Sequence, residues 1–270
     1  MNYSYCRTVA ILTAIVAFLT IPSCAPKPGK LRWKLEVGKT YVYRTEVTGS
    51  WKIEGWELGE RSGNFGNLVE VRMKVASKDD EKFSISEEVE LIREGQSYKP
   101  SVTSYVMTPA GRVSSLSELV ASDAPRVLDD MKRREQYFEQ TQPTFPNRDL
   151  AKGDNWIQET KVVLEDRTLT AQTNYSVKGW EKVGDYNCLR IDYYGEAYVP
   201  YRDENINSKL LDRREVIGTC WFAPKEGVLI QQRDSIRTTT FRVAKESKQQ
   251  APVTSYIVES VRLHKLIDIK

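Results

Sequence analysis

The chain contains a single histidine, His264, and that one count removes most nucleophilic and metal chemistry. A Ser-His-Asp triad, a His-rich zinc site and a two-His iron site each need imidazole at defined places. There is no G-x-S-x-G elbow, no Ser-x-x-Lys pair, no Walker loop and no dinucleotide fingerprint. Near the C-terminus His264 alternates with Leu263, which predicts a place on the polar face of a strand and a structural role. Paired carboxylates could still hydrolyse a glycosidic bond if two of them met about 5–9 Å apart. Glu159, Glu165, Asp166 and Asp192 are candidates, but any chain with 37 acidic residues offers such pairs. The adjacent acids of "DDE" and "DD" lack the alternating oxygen ligands of a calcium loop. No catalytic residue, metal site or cofactor is therefore assigned.

Aromatic residues offer the other kind of chemistry. Trp51 and Trp56 flank Gly55 in the glycine-rich stretch "GSWKIEGWELGERSGNFGN". As ligand contacts they would stack on a sugar ring or line an apolar groove. As packing residues they would staple a hairpin, and the alternation of Trp51 with Ile53 favours packing on an inward face. Charge points away from nucleic acid: 40 Lys+Arg against 37 Asp+Glu leave a net charge of +3. The sharpest basic cluster, Lys132 to Arg134, is flanked by Asp129, Asp130 and Glu135 and reads as a solvated helix face.

The N-terminus supplies an address. Val9 to Ile21, "VAILTAIVAFLTI", is almost wholly apolar and follows Arg7. It is too short for a membrane span of about 20 residues and suits the core of a signal peptide. Ile21-Pro22-Ser23-Cys24 then resembles the lipobox of bacterial lipoproteins, with Pro22 departing from the usual pattern. The resemblance implies cleavage before Cys24, acylation of its thiol, and attachment to a membrane. Residues 1–23 are then the signal peptide and 24–34 a proline-containing tether, "APKPGK" at its start. Ala25 leaves no aspartate-type retention signal behind the lipid, so the expected address is the bacterial cell envelope, at the outer membrane.

With Cys6 removed and Cys24 acylated, Cys188 and Cys220 remain for an oxidising compartment. Both lie in strand-like runs. A hairpin centred on Glu204, in the polar stretch "YRDENINSK", would set them opposite each other. Opposed Cα atoms lie about 4.5–5.5 Å apart, within disulfide range, so a Cys188–Cys220 bridge is expected.

The elements that would position these residues are strands. From Lys39 onward, Tyr, Val, Ile, Thr and Trp recur in alternating runs broken by Gly, Asp and Asn. One segment reads as helix, Ser114 to Gln142, where Leu128, Met131 and Phe138 share a face and Asp123 can cap. The expected fold is mainly β: an antiparallel curved sheet or half-barrel of two similar meanders, residues 35–113 and 143–270, with the helical connection 114–142 between them. The two meanders begin alike. "LEVGKTYVYRT" from Leu35 and "LAKGDNWIQET" from Leu150 match at Leu, Gly, aromatic and Thr positions with an offset of 115.

Taken together, the lipobox, the "LxxGxxY" opening, "FPNRDLAKGDNW", "VGDYNCLRIDY" and "WFAPKEGV" are similar to a family of β-rich bacterial envelope lipoproteins. More distantly, the expected architecture resembles the half-barrels of lipoprotein and lipid carriers. The family motifs mark turns and strand entries, so the functional expectation rests on the lipobox, the strand-dominated chain and the lack of catalytic motifs. That expectation is a lipid-anchored, non-catalytic binding or structural module, with a lipid, a glycan or an envelope protein as partner. The alternatives are a carrier of an apolar ligand and, further off, a carbohydrate-active hydrolase.

Overall fold

A computed structural model describes residues 29–54, 61–79, 81–93, 96–118, 143–163, 168–202, 208–244 and 255–270. It contains twelve strands: β1 (Thr40–Glu54), β2 (Arg61–Asp79), β3 (Lys82–Arg93), β4 (Gln96–Ser97), β5 (Ser101–Met107), β6 (Val113–Glu118), β7 (Asn155–Val163), β8 (Thr168–Val183), β9 (Tyr186–Arg202), β10 (Ser208–Ala223), β11 (Val228–Ala244) and β12 (Ser255–Ile269). All join one antiparallel sheet in the order β6-β5-β3-β2-β1-β12-β11-β10-β9-β8-β7, with the short β4 paired to β3 outside that path. Two meanders therefore run outward from the centre, where β1 pairs with β12.

Strand formation follows from period-two patterning. In β1, Tyr41, Tyr43 and Thr45 are buried while Arg44, Glu46 and Thr48 face water. The same alternation gives Phe83 and Ile85 in β3, and Ile191 and Tyr193 in β9, to the core.

The sheet is rolled, and two consecutive residues show by how much. The Trp33 amide donates to Pro109 O, in the β5–β6 turn, at 2.8 Å, and the Lys34 amide donates to Gly227 O, in the β10–β11 turn, at 3.0 Å. Those turns lie six interstrand steps apart in the sheet order, about 29 Å if the sheet were flat. Neighbouring residues can span only about 10 Å between such acceptors. The inner face at this end is therefore closed around a core.

Residues 29–38 and 143–150 fill that end. Leu31, Trp33, Leu35, Phe145 and Leu150 are all buried, with Trp33 and Phe145 set edge-on against Phe222 at 5.4 and 4.7 Å between ring centres. Each such side chain contributes about 1.5–3 kcal/mol by leaving water. The seam between the two edge strands is bridged as well. The Phe145 amide donates to Ala110 O beside β6, while Thr144 O accepts from Trp156 Nε1 in β7. Residues 29–34, expected to be tether, thus belong to the core: Leu31 and Trp33 gain more by burial than a free linker could.

The repeated lead-in is built twice in the same way. Lys39 N donates to Glu36 O, and Asp154 N to Ala151 O. Gly38 N donates to Val75 O, and Gly153 N to Val177 O; Val75 N and Val177 N return bonds to Lys39 O and Asp154 O. Both glycines have positive φ, 85° and 92°, a region that favours glycine.

Two further expectations are corrected. Ser114–Glu118, assigned to the helical connection, is strand β6, because its backbone gains ladder bonds from β5 between Thr103 and Met107; residues 119–142 lie outside the described residues. Cys188 and Cys220 are free thiols. The β9–β10 register puts Ile191, not Cys188, opposite Cys220. An odd offset of three residues sends the two side chains toward opposite faces of a regular ladder.

Candidate functional site

The inner face changes character along the strands. At the sealed end its side chains are buried. Next comes a polar row, and beyond that the inward positions of β1, β2, β10, β11 and β12 are only half-buried.

The polar row is set by register. Arg262 of β12 lies opposite Val47 of β1 and Asp234 of β11. Asp234 in turn faces Gly218 of β10, which faces Tyr193 of β9. Asp234 is 1 % exposed, and its carboxylate is surrounded by donors. Arg262 Nε donates to Oδ2 at 2.6 Å, and the Arg262 Nη2 group pairs with the same oxygen. The Tyr193 hydroxyl donates to Oδ1, and Gln232 Nε2 donates to the Tyr193 oxygen at 2.7 Å. Gly218 is needed beneath them: a Cβ there would stand 2.5 Å from Asp234 Oδ1 and from the Tyr193 hydroxyl. Burial pushes the Asp234 carboxyl up, and the Arg262 charge opposes that shift.

His264 occupies the next inward position toward the sealed end. Its ring stacks on Tyr43, with centroids 4.6 Å apart, and its Nδ1 lies 2.7 Å from Thr45 Oγ1. Burial, reinforced by the Arg262 charge, holds the imidazole down to about 3, so it is neutral at physiological pH. The sequence expectation of a polar-face histidine is corrected here; Leu263 points outward and His264 inward. Nearby, burial raises the Glu87 carboxyl, which accepts from the Tyr105 hydroxyl at 3.0 Å. The Tyr43 hydroxyl is buried and has no partner among the described residues.

Past this row the inward wall mixes apolar side chains with the polar Ser260, Thr238 and Arg214. Phe65, Trp51, Ile53, Val258, Ile236 and Val216 are all partly exposed. Two glycines let the aromatics lie flat against the sheet. An added Cβ at Gly63 would come within 2.8 Å of Trp51 Nε1, and one at Gly49 within 2.9 Å of the Phe65 ring. Trp51 also lies 6.3 Å from the Tyr256 ring. Trp51 is thus on the inner wall, as its alternation with Ile53 requires, while Trp56 and Cys24 lie outside the described residues.

The two acidic candidates among the described residues do not converge. Asp192 and Glu159 are both on the outer face, Asp192 held by Arg190 and Thr219 and Glu159 by Gln172. Asp192 is level with Asn155 through Ser176, four residues from Glu159 along β7. That is about 13 Å along the strand, beyond the spacing of a glycosidase pair. Glu165 and Asp166 lie outside the described residues. The Cys188 and Cys220 thiols are each pushed up to about 12 by burial, which leaves them protonated and unreactive.

Arg262, Asp234, Gln232 and Tyr193 were missed by motif reading, because no short pattern contains them. The available signal was polar residues on an inward period: Gln232 and Asp234 continue the face begun by Ile230, and Arg262 and His264 continue the face of Leu266.

These features define an open, rolled antiparallel sheet with one packed end, a polar row and a partly exposed inner wall that carries large apolar side chains. No protein-family model matches the chain, and no curated protein matches it. Among solved structures, it is similar to a chain from a study of lipid–protein interactions in lipovitellin, at 11% identity and a TM-score of 0.42. The overlap covers 88% of this chain and 26% of that one, so the chain spans about a quarter of that protein's length. A likeness of this degree fixes neither family nor ligand.

Proposed function

We propose that the protein is a lipid-anchored binding module of the bacterial envelope, tethered through Cys24 at the outer membrane, whose rolled sheet shelters an apolar, chain-like ligand. The observation that carries this reading is the inner wall beyond the polar row. Trp51, Phe65, Val258, Ile236 and Val216 keep apolar surface partly exposed on the concave side, although the same sheet packs a buried core at its other end. Large apolar side chains left partly exposed on a concave face suit a ligand better than water, even with Ser260, Thr238 and Arg214 among them. The lipobox-like segment supplies the address, and Asp192 and Glu159, the acidic candidates among the described residues, lie on the outer face, away from the inner wall.

The test is binding of the fluorescent probe N-phenylnaphthylamine to the purified protein, with long-chain lipids as competitors. The wild type should bind the probe and release it to lipid. Val258→Glu, which places a charge beside Trp51 on the inner wall, should weaken probe binding at least about tenfold, since a charge on an apolar ligand surface is costly. Absence of probe binding by the folded wild type would reject the reading.

A further inference from the structure

Building on the apolar-ligand reading above, we propose that the ligand carries an acidic head, a carboxylate or a phosphate monoester, and that Arg262 receives it.

Three features support the assignment. The first is position. Arg262 stands on the inner face where the partly exposed wall meets the packed end, two residues along the ladder from the Ser260–Gly49 pair on one side and from the His264–Thr45 pair on the other. A chain lying along Trp51, Phe65 and Val258 would bring its end group to this row.

The second is orientation. A guanidinium presents two edges suited to carboxylate or phosphate oxygens. Asp234 occupies the edge formed by Nε and Nη2. The remaining edge, which includes Nη1, has no partner among the described residues, and the side chain keeps 28% of its exposure. Tyr193 and Gln232 donate to the buried carboxylate from the other side, which fixes the partner that orients the arginine.

The third is energetic. A buried ion pair is a poor stabilising device, since an apolar pair of the same volume usually does as well or better. Here the pair requires two further hydrogen-bonding side chains and a glycine beneath them. What the arrangement provides is a fixed, partly desolvated donor edge, the preorganisation a binding site needs. Asn67, in the same row two strands away across Val47, offers an amide donor on the opposite side. The two residues are two interstrand steps apart, about 10 Å, with Val47 on the same face between them.

The test is isothermal titration of the purified protein with oleate, oleoyl lysophosphatidate and oleyl alcohol, which share a chain and differ in the head. The wild type should bind an acid at least about tenfold more tightly than the alcohol, the effect of one charge-assisted hydrogen bond. Preference for oleate alone identifies a carboxylate head; preference for lysophosphatidate alone identifies a phosphate. Arg262→Gln should bring the acid-to-alcohol ratio to about one, and Arg262→Lys should restore part of it, keeping the charge without the fork. Equal affinities for all three in the wild type would overturn the assignment while leaving the apolar-ligand reading intact, as would an unchanged ratio in an Arg262→Gln protein that unfolds cooperatively. Failure of all three to bind would instead remove the apolar-ligand reading, and this inference with it.

Discussion

His264 shows how strongly a single residue of the inner face depends on its surroundings. Its ring is packed on Tyr43 and hydrogen-bonded to Thr45, and protonation would add a charge beside Arg262 in a place with little water. The folded group titrates at about 3, against an ordinary value of 6.5. Between those values the unfolded chain binds a proton that the folded chain refuses. This contribution to stability is therefore present above pH 6.5 and lost as pH falls toward 3, by at most about 1.4 kcal/mol per pH unit. Asp234 and Glu87 act in the opposite sense, because burial raises their carboxyls and the folded state takes up protons first. The effect of His264 is isolated by comparing the wild type with His264→Gln in urea denaturation from pH 7 to pH 4. The wild type should lose stability relative to the variant across that range, and parallel curves would contradict the assignment. Little of this was legible in the sequence. Alternation showed that His264 and Leu263 face opposite ways, but not which of them faces inward. The β1–β12 register decides that, and it pairs residues more than two hundred positions apart.

At the scale of elements, the repeat was the most legible feature, because a turn that needs positive φ leaves glycine at a fixed distance from the strand it introduces. Leu35 and Leu150 are both buried, Gly38 and Gly153 both take left-handed conformations, and both amides donate to a valine carbonyl on the neighbouring strand. Gly38→Ala and Gly153→Ala should each destabilise the protein by about 1–2 kcal/mol through strain at positive φ. Gly66→Ala should leave the denaturation midpoint nearly unchanged, since nothing lies within 4 Å of its added Cβ and its φ is ordinary. Unequal responses at the two lead-in glycines would mean that the turns are not equivalent. The Cys188–Cys220 bridge failed at this same scale. A hairpin centre can be guessed from a polar stretch only to within a residue or two. Any odd slip in the pairing register, here Ile191 in place of Cys188 opposite Cys220, moves every side chain to the other face. Serines in "VSSLSE" carried no helical stripe of their own, so β6 was absorbed into the helical segment that follows it in the sequence.

For the whole molecule, composition and turn chemistry were enough to indicate a mainly β, curved antiparallel sheet in two meanders. They were not enough to reveal which end is closed. That depends on Trp33 and Lys34 reaching turns on opposite sides of the sheet, a contact between segments that share no local pattern. The result is a molecule with two unlike halves. One half is a packed core of Phe222, Phe83, Ile85, Leu31 and their neighbours, and the other is an inner wall whose apolar side chains remain partly exposed. The proposed lipid at Cys24 lies a few residues before Leu31, the first side chain fixed in that core, so a membrane anchor would attach at the packed end and leave the inner wall to its ligand. The most direct measurement is native mass spectrometry of the protein extracted from its own envelope. The account predicts a chain beginning at Cys24 with covalent lipid mass, carrying in addition one non-covalent molecule of chain-bearing lipid that oleate displaces. A chain recovered with no bound molecule, and with no lipid taken up when oleate is added, would contradict it.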